Sequence, residues 1–175
     1  TAGTRITGDI IKAIAPNIHH ISLVANKNEY PTYNATYTGE TYHIYSNVYN
    51  TYSSQEDKHI GECCVYSVTG DGKIWSNSLQ QLLKIGFISD STLWPVASET
   101  RPYGNFVVDN ENQYLYVFVM YSSKSLTYWY KFALPSVNDG EWSDTYGCKV
   151  KVLNEEDILD SWTTTHQNYI QGACV

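Results

Sequence analysis

The chain has 175 residues and a formal net charge of −7, from 11 basic and 18 acidic residues. Its Lys and Arg are scattered singly, which argues against a nucleic-acid partner, because phosphate binding needs clustered cations. No run approaches the roughly 18 consecutive apolar residues of a membrane-spanning helix, so no membrane span is expected.

The aromatic composition is dominated by residues that combine an apolar ring with a polar edge. There are 16 Tyr and 5 Trp against 4 Phe. Such side chains suit half-exposed strands and hydrated binding surfaces. Charged residues make up only 17% of the chain, below the usual quarter. This balance is typical of extracellular, cell-surface and virion β-proteins, and we expect one of these locations.

The first part of the chain predicts two strands. Residues 9–15 are apolar and bounded by Gly8 and Pro16, a pattern compatible with a short helix or a strand. Residues 21–25 are largely apolar and predict a strand. Residues 41–48 are aromatic and β-branched almost throughout and predict a second strand.

The middle of the chain repeats this pattern. Residues 63–68 predict a strand that enters the turn sequence TGDG at residues 69–72, followed by residues 73–75. Glycine favours such a hairpin because it adopts positive φ at little cost. Residues 78–85 are compatible with one or two helical turns or with a strand.

The last part predicts three strands and a short helix. Residues 106–108 lead through a turn at 109–112 to a strand at 114–121. A further strand covers residues 127–134 and ends at Pro135. Residues 154–160 predict a short helix with Asn154 as N-cap and acidic residues in the first turn.

Four segments share one outline, a small or polar residue followed by an apolar run. They begin at residues 20, 61, 104 and 172, at intervals of 41, 43 and 68 residues. The first two intervals match the length of a four-stranded propeller blade, and the third requires an insertion of about 25 residues. The sequence therefore predicts an all-β protein with a β-propeller-like array of about three blade units, at residues 19–59, 60–102 and 103–170.

A strand of a further unit is predicted at residues 171–175, the last five of the sequence. Three units leave strand edges open, and a propeller closes only when its last blade meets its first. We therefore expect an incomplete propeller, a fragment of a longer chain, completed by further sequence, another copy or a separate chain.

Several stretches resemble segments of large, mostly uncharacterised β-propeller proteins of gut Bacteroidetes and bacteriophages. They are His19-His20, Tyr30-Pro31, VVDNENQYLY at residues 107–116, KFALP at 131–135, DILDS at 157–161 and QGA at 171–173. The resemblance implies a six-bladed or similar propeller displayed outside the cell or on a virion, and it brings no catalytic residues with it. Residues 33–41 depart from the pattern with a longer polar loop.

The residues offer little that is specific to catalysis. Residues 69–75 resemble the Asp-box turn of sialidase-type propellers, in which Asp71 is a turn residue. Glycoside hydrolysis needs two carboxylates about 5–9 Å apart. If the protein is an enzyme, the repeat places Glu62 and Asp109 near the central channel, with Arg101 able to bind a substrate carboxylate.

Metal and cofactor chemistry is not expected. The five His are dispersed and no C-x-x-C exists among the four Cys, so zinc and thioredoxin-type sites have little support. No cofactor motif is present. Cys63, Cys64, Cys148 and Cys174 are interpreted as buried thiols that pack as small hydrophobic groups.

Aromatic residues in loops are the candidate ligand-binding groups, because a sugar ring stacks its C–H face on Trp or Tyr. The predicted binding residues are Trp94, Arg101, Tyr103, Asn105 and Trp142. Trp75, Trp129 and Trp162 are expected to pack between blades. The favoured hypothesis is a non-catalytic propeller that recognises a polysaccharide or cell-surface glycan. A glycan-cleaving enzyme and a purely structural assembly unit are the alternatives.

Overall fold

The computed structural model describes residues 18–25, 41–48, 60–69, 79–95, 104–121, 126–165 and 173. These residues are all-β, as the sequence predicts, and they contain no α-helix. The strands are β1 (Ile18–Ala25), β2 (Thr41–Val48), β3 (Glu62–Thr69), β4 (Leu79–Ile85), β5 (Gly104–Asp109), β6 (Tyr114–Tyr121), β7 (Leu126–Ala133), β8 (Glu141–Ser143), β9 (Cys148–Leu153) and β10 (Asp160–Thr165). A 3-10 turn covers Glu155–Asp157.

The strands form two sheets. The first sheet has the order β1-β2-β3-β4-β9-β8, in which β1 to β4 are successive antiparallel neighbours and β9 pairs parallel with β4. The second sheet is antiparallel throughout, with the order β10-β7-β6-β5. The described strands thus form two packed sheets and not a closed propeller ring.

One hydrophobic core lies between the two sheets. Alternate residues of β2, β3, β4 and β9 supply one side of it, and alternate residues of β5, β6 and β7 supply the other, because successive side chains of a strand point to opposite faces. The core side chains are Tyr45, Ile60, Cys63, Val65, Leu83, Ile85, Phe87, Trp94, Phe106, Leu115, Val117, Val119, Tyr130, Phe132 and Leu153.

The segment between β4 and β5 fills the core with aromatic rings. Phe87 and Trp94 come from this segment, and the Trp94 ring lies parallel to the Tyr130 ring of β7 at 6.3 Å between centroids. The Tyr130 hydroxyl donates to the carbonyl of Leu93. Glycine is required at residue 104, because a Cβ there would lie 2.8 Å from Cη2 of Trp94.

The two sheets are also joined by polar contacts at β5. The Oδ1 atom of Asn47 accepts the backbone N–H of Phe106 at 3.0 Å. The carbonyl of Ile60 accepts the N–H of Gly104 at 2.9 Å. These bonds satisfy backbone donors of β5 beyond its pairing with β6, so they fix this strand against the first sheet.

Residues 134–159 connect β7 to β10 and cross to the first sheet, where β8 and β9 extend it. Gln81 holds the start of this connection in place, because its buried side-chain amide donates to the carbonyls of Ser136 at 2.7 Å and Asp139 at 2.9 Å. Gly140 has a φ of 94° and lies against the Val150 backbone, which leaves no space for a Cβ.

The strands predicted up to residue 134 agree closely with the observed ones, whereas β8, β9 and β10 were not predicted. The predicted strands at residues 41–48 and 114–121 have the same limits as β2 and β6. Residues 78–85, whose sequence is compatible with a helix or a strand, contain the strand β4. The short helix predicted at 154–160 is reduced to one 3-10 turn, in which the Asp157 carboxylate accepts the Asn154 N–H at 2.8 Å.

The predicted division into units differs from the sheet topology at one boundary. Residues 59 and 60 separate the first two predicted units, yet β2 and β3 on either side pair from Thr41↔Thr69 to Asn47↔Cys63. The first two predicted units therefore contribute strands to one sheet. The spacing of the repeats did not predict this, because it does not reveal which strands pair. The third unit supplies all four strands of the second sheet and also β8 and β9 of the first sheet. The predictions at residues 9–15, 33–40 and 70–75 lie outside the described residues, as does most of 171–175.

Candidate functional site

Side chains on the second sheet form two rows across the face that is turned away from the core. Directly opposite residues of antiparallel strands point to the same face. One row therefore contains Trp162, Trp129, Phe118 and Asn105. The neighbouring row contains Asp160, Lys131, Tyr116 and Val107. We call the following residues of this surface the aromatic face: Tyr114, Tyr116, Phe118, Trp129, Lys131, Asp160 and Trp162.

The rings of the aromatic face contact one another from strand to strand. Trp129 and Trp162 are stacked with their planes 1° apart and their centroids 5.9 Å apart. Phe118 lies 4.7 Å from Trp129 on one side, and Tyr116 meets Trp162 edge-on at 6.2 Å. Such cross-strand aromatic pairs each stabilise a sheet by about 0.2–1 kcal/mol. The indole N–H of Trp129 donates to the Thr164 hydroxyl at 2.9 Å, which fixes the ring orientation.

Lys131 is the cation of the aromatic face. Its ammonium lies 3.6 Å above the centroid of the Tyr114 ring and 5.9 Å from that of Tyr116. A cation over an aromatic face is attracted by the ring quadrupole. Asp160 is the cross-strand partner of Lys131 on β10. The ammonium is thus held against two tyrosine rings with a carboxylate-bearing residue beside it.

Exposure increases across the sheet from β6 to β10. Phe118 is fully buried, whereas Trp162 exposes 38% of its surface and every residue of β10 is exposed. Tyr114, Tyr116, Trp129 and Lys131 are intermediate. A ligand would therefore reach the aromatic face at its β7–β10 side, where the rings pack on neighbouring strands and expose part of their surface to solvent.

Asn105, a predicted ligand-binding residue, lies at the buried end of the first row. Its Oδ1 atom accepts a long hydrogen bond of 3.4 Å from the Asn47 side chain. Asn47 also binds the backbone of β5. Asn105 thus takes part in the polar junction between the two sheets, on the same side of its sheet as the aromatic face.

Asp109 closes the hairpin between β5 and β6. Its carboxylate accepts the backbone N–H of Asn112 at 2.9 Å and the Asn112 side-chain amide at 2.8 Å. These hydrogen bonds, with a smaller effect of the Lys131 charge, lower the pKa of Asp109 below its usual value. A general acid needs the opposite shift, so the environment favours a turn residue that stays ionised.

Glu62, the other carboxylate of the enzyme hypothesis, lies in the first sheet. It is buried and forms an ion pair with Lys84, with 2.9 Å between Oε1 and Nζ. Asp109 belongs to the second sheet and binds Asn112. The two carboxylates therefore have separate partners on separate sheets. The described residues also contain no group of three or more His, Cys, Asp or Glu able to hold a metal ion.

The two predicted tryptophan platforms have opposite environments. Trp94 is fully buried in the core, so its ring offers no face to a ligand, and its role is packing. The Trp-Pro sequence suggests a loop but does not reveal that the loop folds inward. Trp142 exposes 63% of its surface on β8, and its indole N–H donates to the Asp144 carboxylate at 2.9 Å. Arg101 and Tyr103 lie outside the described residues.

The described cysteines are free thiols. Cys63 and Cys148 are buried and Cys64 is partly buried. Burial raises the pKa of Cys63 and Cys148, and it raises that of Cys64 to about 11. A thiol that stays protonated is a poor nucleophile and a poor metal ligand. These residues behave as the small hydrophobic groups that the sequence predicts, while Cys174 lies outside the described residues.

The sequence predicts that Trp129 and Trp162 pack between blades. The structure places both on the partly exposed aromatic face, and no neighbouring blade lies among the described residues, so this packing stays a prediction. A signal for this surface exists in the alternation at residues 114, 116 and 118, where Tyr, Tyr and Phe share one face of a strand. The alternation does not say which face is covered. Among the described residues no helix is long and apolar enough to cross a membrane.

Comparison with known proteins adds no assignment. No family model, no curated protein and no solved structure matches the chain.

Proposed function

We propose that the protein is a non-catalytic recognition protein that binds a carbohydrate on the aromatic face. The observation that carries the proposal is the stacked pair of Trp129 and Trp162, which is open to solvent at Trp162 and fixed by the bond from Trp129 to Thr164. In this proposal the protein acts outside the cell or on a virion, where glycan ligands occur.

The physical case rests on complementarity with a sugar ring. The C–H groups of a pyranose form an apolar patch that packs on an indole or phenol ring, while its hydroxyls seek donors and acceptors around that ring. Trp162 and Tyr116 supply rings, and Lys131, Asp160 and Thr164 supply polar groups beside them. Because the rings already contact one another, little side-chain entropy is lost when a ligand binds.

The positions of the carboxylates favour binding over cleavage. Glycoside hydrolysis needs two carboxylates on either side of one bond. Glu62 is paired with Lys84 in the first sheet, and Asp109 accepts two hydrogen bonds within a turn of the second sheet. Each carboxylate has a structural role that explains its presence.

A structural assembly unit is the second candidate, favoured by one observation. Among the described strands, β10 lies at the edge of its sheet, and every residue of β10 is exposed. An exposed edge strand presents unpaired backbone groups that another strand can bind. In the propeller hypothesis such a sheet is one blade, and its aromatic face packs against a neighbouring blade of a longer chain or of another chain.

The test is binding to a broad glycan array, followed by titration calorimetry with the best ligand. We expect Trp162→Ala to weaken binding at least tenfold, or about 1.4 kcal/mol. The control Leu159→Ala removes another exposed apolar side chain, 58% exposed, and should leave affinity unchanged. Circular dichroism of each variant verifies that the fold is retained.

The outcomes separate the candidate sites and functions. If Trp142→Ala weakens binding and Trp162→Ala does not, the ligand binds the β8–β9 hairpin and the aromatic face is the wrong site. If no glycan binds, carbohydrate recognition is rejected. Sedimentation velocity then tests assembly, which predicts that Trp162→Ala shifts an oligomer of the wild-type chain toward the monomer.

A further inference from the structure

We infer that the aromatic face selects neutral glycans and excludes acidic ones, such as chains of uronic acids. This inference rests on the proposed function and specifies the ligand class of the same site. It follows from the arrangement of charges around the stacked rings.

The charged groups of this surface carry a net negative charge. Asp160 on β10 is the cross-strand partner of Lys131. Asp109 lies at the end of β5, and the charge of Lys131 contributes to the lowering of its pKa. Among the described residues, Lys131 and Asp160 of the aromatic face together with Asp109 beside it give a formal charge of −1. The whole chain carries −7, so the long-range field has the same sign and also repels an anion.

The single cation among the described residues of the aromatic face is already engaged. The Lys131 ammonium lies 3.6 Å from the Tyr114 centroid and within 6 Å of that of Tyr116. A sugar carboxylate would have to draw the ammonium away from these rings or approach it past Asp160. An anion receptor commonly uses an Arg fork or clustered cations instead. Lys131 is therefore placed to stiffen the tyrosine rings and to donate to a hydroxyl.

Neutral sugars meet no such barrier. Their hydroxyls can accept from Lys131 or donate to Asp160, and their C–H faces can stack on Trp162. The exposed Asp160 carboxylate then accepts hydrogen bonds from the ligand rather than repelling it. The same charges thus favour one ligand class and oppose the other, which is how specificity is commonly achieved.

The test uses affinity electrophoresis in gels that contain a neutral polysaccharide (glucan, xylan or galactomannan) or an acidic one (polygalacturonate or alginate). We expect the wild-type chain to be retarded by a neutral polysaccharide and not by an acidic one at low ionic strength. Asp160→Lys changes the charge of the surface from −1 to +1. Because Asp160 is exposed, this variant should fold normally.

We expect Asp160→Lys to improve binding of polygalacturonate by about fivefold for each sugar carboxylate near the surface, taking charges about 8 Å apart in water. The gain should disappear in about 0.5 M salt, whereas binding of the neutral polysaccharide should persist. Glu141→Lys is the matched control, because it makes the same change of net charge at an exposed residue of the first sheet.

Each result decides between distinct conclusions. Polygalacturonate could retard the wild-type chain as strongly as neutral polysaccharides do, with the retardation lost in Trp162→Ala. This result would overturn the charge selectivity, but it would still support glycan recognition by the aromatic face. The selectivity is equally overturned if Asp160→Lys and Glu141→Lys behave alike. Absence of retardation by every polysaccharide rejects the proposed function itself, and the inference with it.

Discussion

Replacement of Trp94 by alanine should be among the most destabilising single changes in this chain. Trp94 is fully buried, it stacks on Tyr130 at 6.3 Å and it meets Phe87 edge-on at the same centroid distance. Truncation of a buried tryptophan costs about 3–5 kcal/mol, from lost burial and from the cavity left behind. Domains of this kind are stable by only about 5–15 kcal/mol, so the loss is a large fraction of the total.

The matched control for Trp94→Ala is Trp142→Ala, which deletes the same side chain from an exposed position. Trp142 is 63% exposed and lies on the three-residue strand β8. Its removal should change the unfolding free energy by no more than about 0.5 kcal/mol. Trp94→Phe retains an aromatic ring and should cost an intermediate amount, so it remains informative if Trp94→Ala does not fold.

The measurement is equilibrium unfolding in urea, followed by far-ultraviolet circular dichroism because the variants change the tryptophan content. The denaturation midpoint should fall strongly for Trp94→Ala and little for Trp142→Ala, at a similar slope. If Trp94→Ala costs less than about 1 kcal/mol, or if the two variants are equally destabilised, the assignment of Trp94 to the shared core is wrong.

Two further predictions follow from the titrating groups. The pKa of Asp109 is lowered from 3.8 by hydrogen bonds from Asn112, so its stabilising effect is present above that pH and is lost as the pH falls through the lower folded-state pKa. The difference in unfolding free energy between the wild-type chain and Asp109→Asn should therefore narrow as the pH falls below 3.8; a constant difference would contradict this. Cys63, Cys64 and Cys148 should resist iodoacetamide in the native state at about pH 8 and react after unfolding, because burial raises each thiol pKa. Peptide mass spectrometry resolves each site, and rapid native labelling of Cys64 would refute the reasoning.

The all-β class and six of the ten described strands, β1 to β3 and β5 to β7, were predictable from the sequence, whereas β4 was also compatible with a helix and β8 to β10 were not predicted. Alternation and β-branched or aromatic content are local properties, and a strand shows them whether or not its partner is known. Thr41–Val48 and Tyr114–Tyr121 were therefore predicted to the residue. The turn at residues 109–112 was also predictable, because its hydrogen bonds run between Asp109 and Asn112, only three residues apart in the sequence. The thiol interpretation agrees with the three described cysteines; Cys63 and Cys64 lie on a predicted strand, whereas Cys148 lies on β9, which was not predicted.

The tertiary structure alone decided which strands pair and which faces are covered. The parallel pairing of β9 with β4 joins residues far apart in the chain, and no local pattern encodes it. The environments of the four described tryptophans also depend on the tertiary structure: Trp94 is buried in the core, Trp142 is exposed, and Trp129 stacks on Trp162 on the partly exposed side of the second sheet. Alternation assigns each side chain of a strand to one of two faces, but only the packing of the sheets determines which face is buried. The candidate binding surface therefore emerges from the sheet packing, although every residue in it is visible in the sequence.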